Sequence, residues 1–206
     1  MIVHDVEQGS PEWHKLRAAK PTSSMFSSLI TGTGEPSKSL KEYAITLATE
    51  KYLGGPIDDG FQGNRFTERG HELEDESRAD YEMTNQVRVQ PVGFITDDLM
   101  RWGASTDGLV EDDGLVEFKN LIATRFMELL IYVKKHNKTP TEYVPQVQGE
   151  LFVTERKWCD IVFYHPQFEP IVFRHEPDPK YQATLEKQLK AVIAERNNIL
   201  KLIGAK

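Results

Sequence analysis

Apolar residues recur along this chain in two rhythms, one with the period of a helix and one with the period of a strand. In "GSPEWHKLR", Ser10 stands where a helix cap belongs and Pro11 at the first helical position, so a short helix is expected. "TSSMFSSLI" reads as another. Ser39 and Glu42 have the spacing of a capping box opening "LKEYAITLATEKYL", which stops at Gly54-Gly55-Pro56. The run "RFTERGHELEDESRADYEM" predicts a further helix, with Leu73, Ser77 and Tyr81 on one face and His71, Glu74 and Arg78 on the next.

The middle of the chain changes rhythm. "QVRVQP", "GFITDD", "MRWGAS" and "LVEFKN" read as strands. Helical stretches follow around "TRFMELLIYVKKH" and "EYVPQVQGELFVTE", with Pro145 close to the start of the second. Two β-branched runs, "WCDIVFYH" and "PIVFRH", then precede a terminal helix capped by Asp178. Its stripe is Leu185, Leu189, Val192, Ile199 and Ile203. Helices at both ends of a strand-rich centre predict an α/β fold, a mixed central sheet flanked by helices. No repeat or polar linker divides the chain, so one domain over residues 1–206 is expected.

One stretch carries chemistry. In "ASTDGLVEDDGLVEFKN", Asp113-Gly114 signals a turn between two strands. Alternation places Leu115, Glu117 and Lys119 on one face of the second strand and Val116 and Phe118 on the other. Folding the hairpin returns Asp107 toward Glu117 and Lys119. A solvated half-buried hairpin has the same pattern. So does a site for a divalent cation, in which Asp107, Glu117 and the Phe118 carbonyl supply the hard oxygen ligands that Mg²⁺ prefers. Lys119 would then position an attacking hydroxide and offset charge on a phosphoryl transition state.

Composition sets limits around this. Of the side chains, 39% are hydrophobic and 10% aromatic, as in a globular core. The net charge of −7 argues against a protein that coats nucleic acid along a uniformly basic surface, though not against an enzyme with a local basic groove. No run is apolar enough to span a bilayer and the first residues lack a secretory pattern, so no membrane partner and a cytoplasmic location are expected. The lone Cys159 reads as a small buried apolar residue. The six histidines are scattered with no H-x-x-x-H pair, which excludes zinc-hydrolase spacing. "GTGEPSKS" approaches a phosphate-binding loop. However, Ser37 replaces its second glycine, Pro36 removes an N–H, and no strand precedes it, so a plain loop is expected.

Three other segments keep the hairpin company. In "RGHELEDESRADYE", Glu74 and Arg78 form an i, i+4 pair, and one acid of the helix could complete the metal cluster. Gln146 and Gln148 lie among apolar residues, where an amide could bind a metal-bound water or a phosphate oxygen. Arg17, close to Thr22, Ser23 and Ser24, could hold an anion.

Taken in order, "VEQGSPEWHKLR…TSS", "RGHELEDESRADYE", "TDGLVEDDGLVEFKN" and "YVPQVQGELFVTERKWCDIVFYHP" resemble the phage lambda-type exonucleases over residues 6–166. These are YqaJ-like viral recombinases of the restriction-endonuclease-like PD-(D/E)xK superfamily. The resemblance implies a Mg²⁺-dependent enzyme, with one or two ions per site and Mn²⁺ substituting. It would digest double-stranded DNA ends 5′→3′, release 5′ mononucleotides and leave a 3′ single strand. A homotrimer ring and a single-strand DNA annealing protein as partner are also implied. Position by position, Asp107 and Glu117 match the metal ligands, with the Phe118 carbonyl beside them. Lys119 matches the catalytic lysine, Glu74 the helix carboxylate and Gln146 the glutamine near the attacking water. Arg17, Thr22 and Ser24 fall where the terminal 5′-phosphate is held.

The chain departs from the family pattern at Thr106, where proline is usual, and at Asn120-Leu121, where Cys-Pro is frequent. "AAKPTSS" also lacks a glycine and an isoleucine before Thr22. The alternatives are an endonuclease on the same core and a non-catalytic DNA-binding protein with a decayed site.

Overall fold

The computed structural model describes residues 1–57 and 73–205. In chain order it contains β1 (Ile2–His4), α1 (Pro11–Arg17), a 3-10 turn (Ser23–Ser28), α2 (Leu40–Leu53) and α3 (Glu74–Asn85). Next come β2 (Val89–Gln90), β3 (Phe94–Thr96), β4 (Gly103–Ala104), β5 (Gly108–Val110) and β6 (Gly114–Asn120). The last part holds α4 (Ala123–His136), α5 (Val144–Thr154), β7 (Trp158–Tyr164), β8 (Ile171–His175) and α6 (Pro179–Leu202). The expected helix over "RFTERGHELEDESRADYEM" is observed from Glu74 onward; its earlier part, with His71, lies outside the described residues.

The expected mixed sheet is present. Its strand order is β2-β5-β6-β7-β8, antiparallel throughout except for the parallel pair β6–β7. A parallel pair needs a crossover, and α4 and α5 provide it. A smaller antiparallel sheet, β1-β3-β4, lies apart from it. On β6, Leu115 joins the larger core with Cys159, Ile161 and Phe163 of β7. Val116 and Phe118 face the other way and meet Val162 and Tyr81 of α3 in a second, smaller core. Period-two alternation thus sorts β6 between two helix layers, as the sequence predicts.

Behind β6, on the α3 side, Asp160 is buried and fully partnered. It accepts two bonds from Arg174 of β8, both at 2.8 Å, and one from the Tyr81 hydroxyl at 2.7 Å. Arg174 in turn stacks 3.7 Å over the Trp158 ring. Tyr164 donates to Glu76 at 2.7 Å, a second tie between α3 and β7. These bonds place the first turn of α3, with Glu74, at one end of the sheet.

Ser10 and Asp178 cap α1 and α6 as expected, accepting bonds from Trp13 N and from Lys180 N and Tyr181 N. Other local signals are overridden. The hydroxyl of Ser39 makes no cap bond to α2; its own N–H donates to Ser37 Oγ instead. Ile203 lies beyond the end of α6 and is 58% exposed, because the last turn runs past the body of the molecule. The hairpin turn is Glu111-Asp112-Asp113, with the positive φ at Glu111 rather than at a glycine. Gly114 is already in the strand, where a Cβ would collide with the Trp158 ring. "GTGEPSKS" is a loop, with Gly32 against the Thr141 backbone and no strand leading into it. Cys159 is buried and unpaired. Among the described residues, no helix is long and apolar enough to cross a membrane.

Candidate active site

The β5–β6 hairpin brings Asp107, Glu117 and Lys119 together. Asp107 precedes β5, and its Oδ2 accepts the Phe118 N–H at 2.6 Å, which fastens it to the strand bearing the other two. Thr106 explains its departure from the family pattern: its buried hydroxyl donates to the Val116 carbonyl at 2.9 Å and pins the same lead-in across the hairpin. Gln8 adds a bond to the Thr106 carbonyl. At the far end, the Leu121 N–H donates to the Tyr164 carbonyl at 3.0 Å, a bond that proline could not make.

Glu117 is 4% exposed and Lys119 is half-buried. Lys119 Nζ donates to Glu117 Oε1 at 2.7 Å and to Gln146 Oε1 at 3.0 Å. Burial alone would drive its proton off, but Glu117 and Asp107 outweigh burial and hold its pKa above the ordinary lysine value, so it is an ammonium ion. For Asp107, loss of water and then repulsion from Glu117 both favour the protonated form and raise its pKa well above the usual range. Three carboxylates and one ammonium share the pocket once Glu150 is included. That excess of negative charge is what a divalent cation relieves.

Glu150 is the residue that sequence reasoning missed. It sits one turn after Gln146 on α5, fully buried, and accepts from Gln146 Nε2 at 3.0 Å. Burial and then Glu117 raise its pKa. In "PQVQGELF", a lone glutamate in an apolar helix resembles any surface acid; only its i, i+4 spacing from Gln146 pointed inward. Gln148 serves structure instead. It is buried, and it donates to the Glu176 carbonyl and accepts from Asp178 N–H.

Glu74 pairs with Arg78 at 2.8 Å, as its spacing suggested. It also lines a cleft of about 400 Å³ together with Asp107, Glu7 and Gln8. Among the described residues, no three histidine, cysteine or acidic side chains enclose a metal by themselves. The donors nonetheless suit an open site. Glu117 Oε2 is buried with no hydrogen-bond partner, and Glu117 and Asp107 repel each other; an unpartnered carboxylate oxygen in such a pair suits a hard cation that keeps several waters.

Arg17 builds a neighbouring pocket. It donates to Ser24 Oγ at 3.0 Å and Thr22 Oγ1 at 3.4 Å, the two hydroxyls singled out from sequence. Two further members were not foreseen. Ser105, two residues before Asp107, accepts from Arg17 Nη1 at 2.8 Å, and Trp13 lies with its ring 4.1 Å beneath the guanidinium. Trp13 Nε1 bonds Ser105 as well. Burial lowers the Arg17 pKa to about 10, so it remains charged at neutral pH. A half-buried cation whose hydrogen-bond partners are hydroxyls suits an anion. The missing glycine before Thr22 does not prevent these contacts; Ala19 takes the positive φ in that loop.

The YqaJ-like viral recombinase domain matches residues 12–157 of this chain. In structure the chain is similar to an alkaline exonuclease, LHK-Exo, from Laribacter hongkongensis, with a TM-score of 0.81 and 29% identity over 95% of this chain and 96% of that one. The same enzyme in complex with dAMP gives a TM-score of 0.79 and 28% identity, over 94% of this chain and 96% of that one. A phage-related exonuclease from Haemophilus somnus 129PT shares the fold, with a TM-score of 0.67 and 15% identity over 89% of this chain and 96% of that one. No curated protein matches the chain.

Proposed function

The chain belongs to the YqaJ-like viral recombinase family, and on that premise we propose that it is a Mg²⁺-dependent exonuclease of double-stranded DNA. It removes 5′ mononucleotides in the 5′→3′ direction and leaves a 3′ single strand for recombination by annealing. The observation that carries this reading is the gathering of Asp107, Glu117, Lys119 and Gln146 at one sheet end, with a buried oxygen of Glu117 left unpartnered. The alkaline exonuclease LHK-Exo, similar over nearly the whole chain, has been seen with dAMP, a mononucleotide of the kind such digestion releases.

Asp107, Glu117 and the Phe118 carbonyl are the groups to hold the metal, with Glu74 a further carboxylate of the same cleft. One or two ions are accommodated, and Mn²⁺ substitutes for Mg²⁺. When bound, the ion supplies a water of lowered pKa and withdraws charge from the phosphoryl oxygens. Lys119, kept as an ammonium ion, stabilises the charge that builds on those oxygens, and Gln146 orients the attacking water. Arg17 with Thr22, Ser24 and Ser105 receives the terminal 5′-phosphate and so sets the scissile bond in register with Asp107. A homotrimer ring around the duplex and a single-strand annealing protein complete the proposed assembly.

The test is digestion of a linear duplex blocked at one end, with Mg²⁺ or with EDTA. Mg²⁺-dependent loss of nucleotides from the free 5′ end is expected, with covalently closed circular DNA left intact. Cleavage of the circle would move the assignment to an endonuclease on the same core. No cleavage by the folded protein would leave a DNA-binding protein with a decayed site.

A further inference from the structure

Gln146 has one amide oxygen and two N–H groups, and every one of them is committed. Nε2 donates to Glu117 Oε1 at 2.6 Å and to Glu150 Oε1 at 3.0 Å, while Oε1 accepts from Lys119 Nζ at 3.0 Å. Turning the amide over would set its oxygen against two carboxylates and its NH₂ against an ammonium ion. The two ends of an amide are therefore distinguished here by charge.

The partners differ in what the reaction asks of them. On the nuclease reading, Glu117 is needed by the metal, for which its unpartnered Oε2 is available, and Lys119 by the phosphate. Glu150 is not. It is fully buried one helical turn along α5, with its other oxygen 3.9 Å from the Cys159 sulfur. Burying a carboxylate in such surroundings is costly, and an apolar side chain would fill the space better if packing were the only demand.

We propose that Glu150 is a positioning residue that locks the Gln146 amide with both N–H groups turned inward, so that the Gln146 carbonyl oxygen alone faces the reaction. The inference rests on the nuclease reading above and deepens it. Gln146 then cannot donate to a phosphate oxygen. Its free lone pair accepts an O–H of the attacking water, beside the Lys119 ammonium, and so aims the oxygen of that water at phosphorus.

The experiment compares Glu150→Leu, Glu150→Met and Glu150→Gln with the unchanged protein. Leucine and methionine remove the acceptor, and kcat on a 5′-phosphorylated duplex is expected to fall on the order of 10- to 100-fold, the cost of a misaligned reacting group. Affinity for the same DNA end, measured with Ca²⁺ in place of Mg²⁺, should stay unchanged. Glu150→Gln keeps an acceptor oxygen and should restore most of kcat. Added to Gln146→Ala, the leucine change should cost nothing further, because the two act as one unit. Orientation has its own readout without turnover. In ¹H–¹⁵N spectra of the metal-free protein, one of the two Gln146 side-chain amide protons should move upfield when Glu150 is replaced by leucine or methionine.

A kcat within twofold of the parent in both apolar variants, or full additivity with Gln146→Ala, would overturn the proposal. Unmoved Gln146 amide resonances would overturn it while leaving the nuclease assignment intact. An unchanged protein with no nuclease activity would instead remove the assignment on which the catalytic part rests.

Discussion

Arg17 Nη1 donates to Ser105 Oγ across 2.8 Å, and Ser105 stands two residues before Asp107 in the strand lead-in. The proposed phosphate receptor is thereby tied, through one hydrogen bond to Ser105, to the short segment that carries the proposed metal ligand. A nuclease that removes one nucleotide at a time needs a fixed spacing between the terminal phosphate and the bond to be cut.

Arg17→Ala should therefore erase the preference for 5′-phosphorylated over 5′-hydroxyl ends, bringing the ratio of their kcat/KM values to about one. Matched duplexes differing only in that group measure it. Ser105→Ala, which removes one acceptor from Arg17, should weaken the same ratio by a smaller factor. Equal loss of rate on both kinds of end would detach this pocket from the phosphate.

On the proposed mechanism, Lys119→Ala should reduce cleavage by on the order of 100-fold or more, since it removes the charge assigned to the transition state. Lys119→Arg should rescue little. A guanidinium is broader than an ammonium ion, and the space between Glu117 and Gln146 holds Nζ at 2.7 and 3.0 Å. Single-turnover rates with prebound DNA separate this loss from any change in binding.

The acidic pocket makes the metal-free protein sensitive to alkali. Asp107 and Glu150 have pKa values raised from ordinary ones of 3.8 and 4.5, chiefly by burial and next by Glu117. Each holds its proton more tightly folded than unfolded. Their contribution is favourable below the ordinary carboxylate range and is lost as pH rises through the raised values. In EDTA, the melting temperature should fall between pH 5 and pH 8. Asp107→Asn should flatten part of that fall and raise the melting temperature at pH 8, while abolishing metal binding. Millimolar Mg²⁺ should stabilise the parent at pH 8 and leave the variant unmoved. Calorimetric scans at the two pH values decide it.

Tyr81→Phe deletes one of three bonds to the buried Asp160 carboxylate and should cost about 1 kcal/mol in urea unfolding. Asp160→Asn should cost more, because it leaves Arg174 without its counter-ion, although that arginine is half in water and solvent screens part of the loss. Both changes should also slow cleavage moderately, since Tyr81 holds the helix that begins at Glu74. Unaltered stability in Tyr81→Phe would mean that water replaces the hydroxyl at no cost.

Much of this was legible because strand geometry is local. Alternation alone put Glu117 and Lys119 on one face with Val116 and Phe118 behind them, and the caps at Ser10 and Asp178 follow from nearest-neighbour chemistry. Gln146 stands out as an amide among apolar residues and Arg17 as a cation close to hydroxyls; the fold sets Gln146 against Glu117 and Lys119, and Arg17 against Thr22 and Ser24. Ser105 could not be read, since 88 residues separate it from Arg17 and a serine before a strand carries no signal. Glu150 hid in an apolar helix as a lone charge. The expected turn at Asp113-Gly114 closes instead over Glu111-Asp112-Asp113, and Gly114 joins the strand with its bare face against Trp158, a partner distant in sequence.

The parallel pairing of β6 with β7 has a bearing on synthesis. Residues 107–119 leave the ribosome with only the two-residue β2 and α3 to pack on, and so small a sheet is at best marginal in water. The amides and acids of α5 arrive some 30 residues later, and β7, which fixes β6 from its other side, later still. A chain still being translated therefore holds its proposed metal ligands without the framework that aligns them. The proposed site is complete only once most of the chain is made, so cutting has to wait for nearly the whole of synthesis.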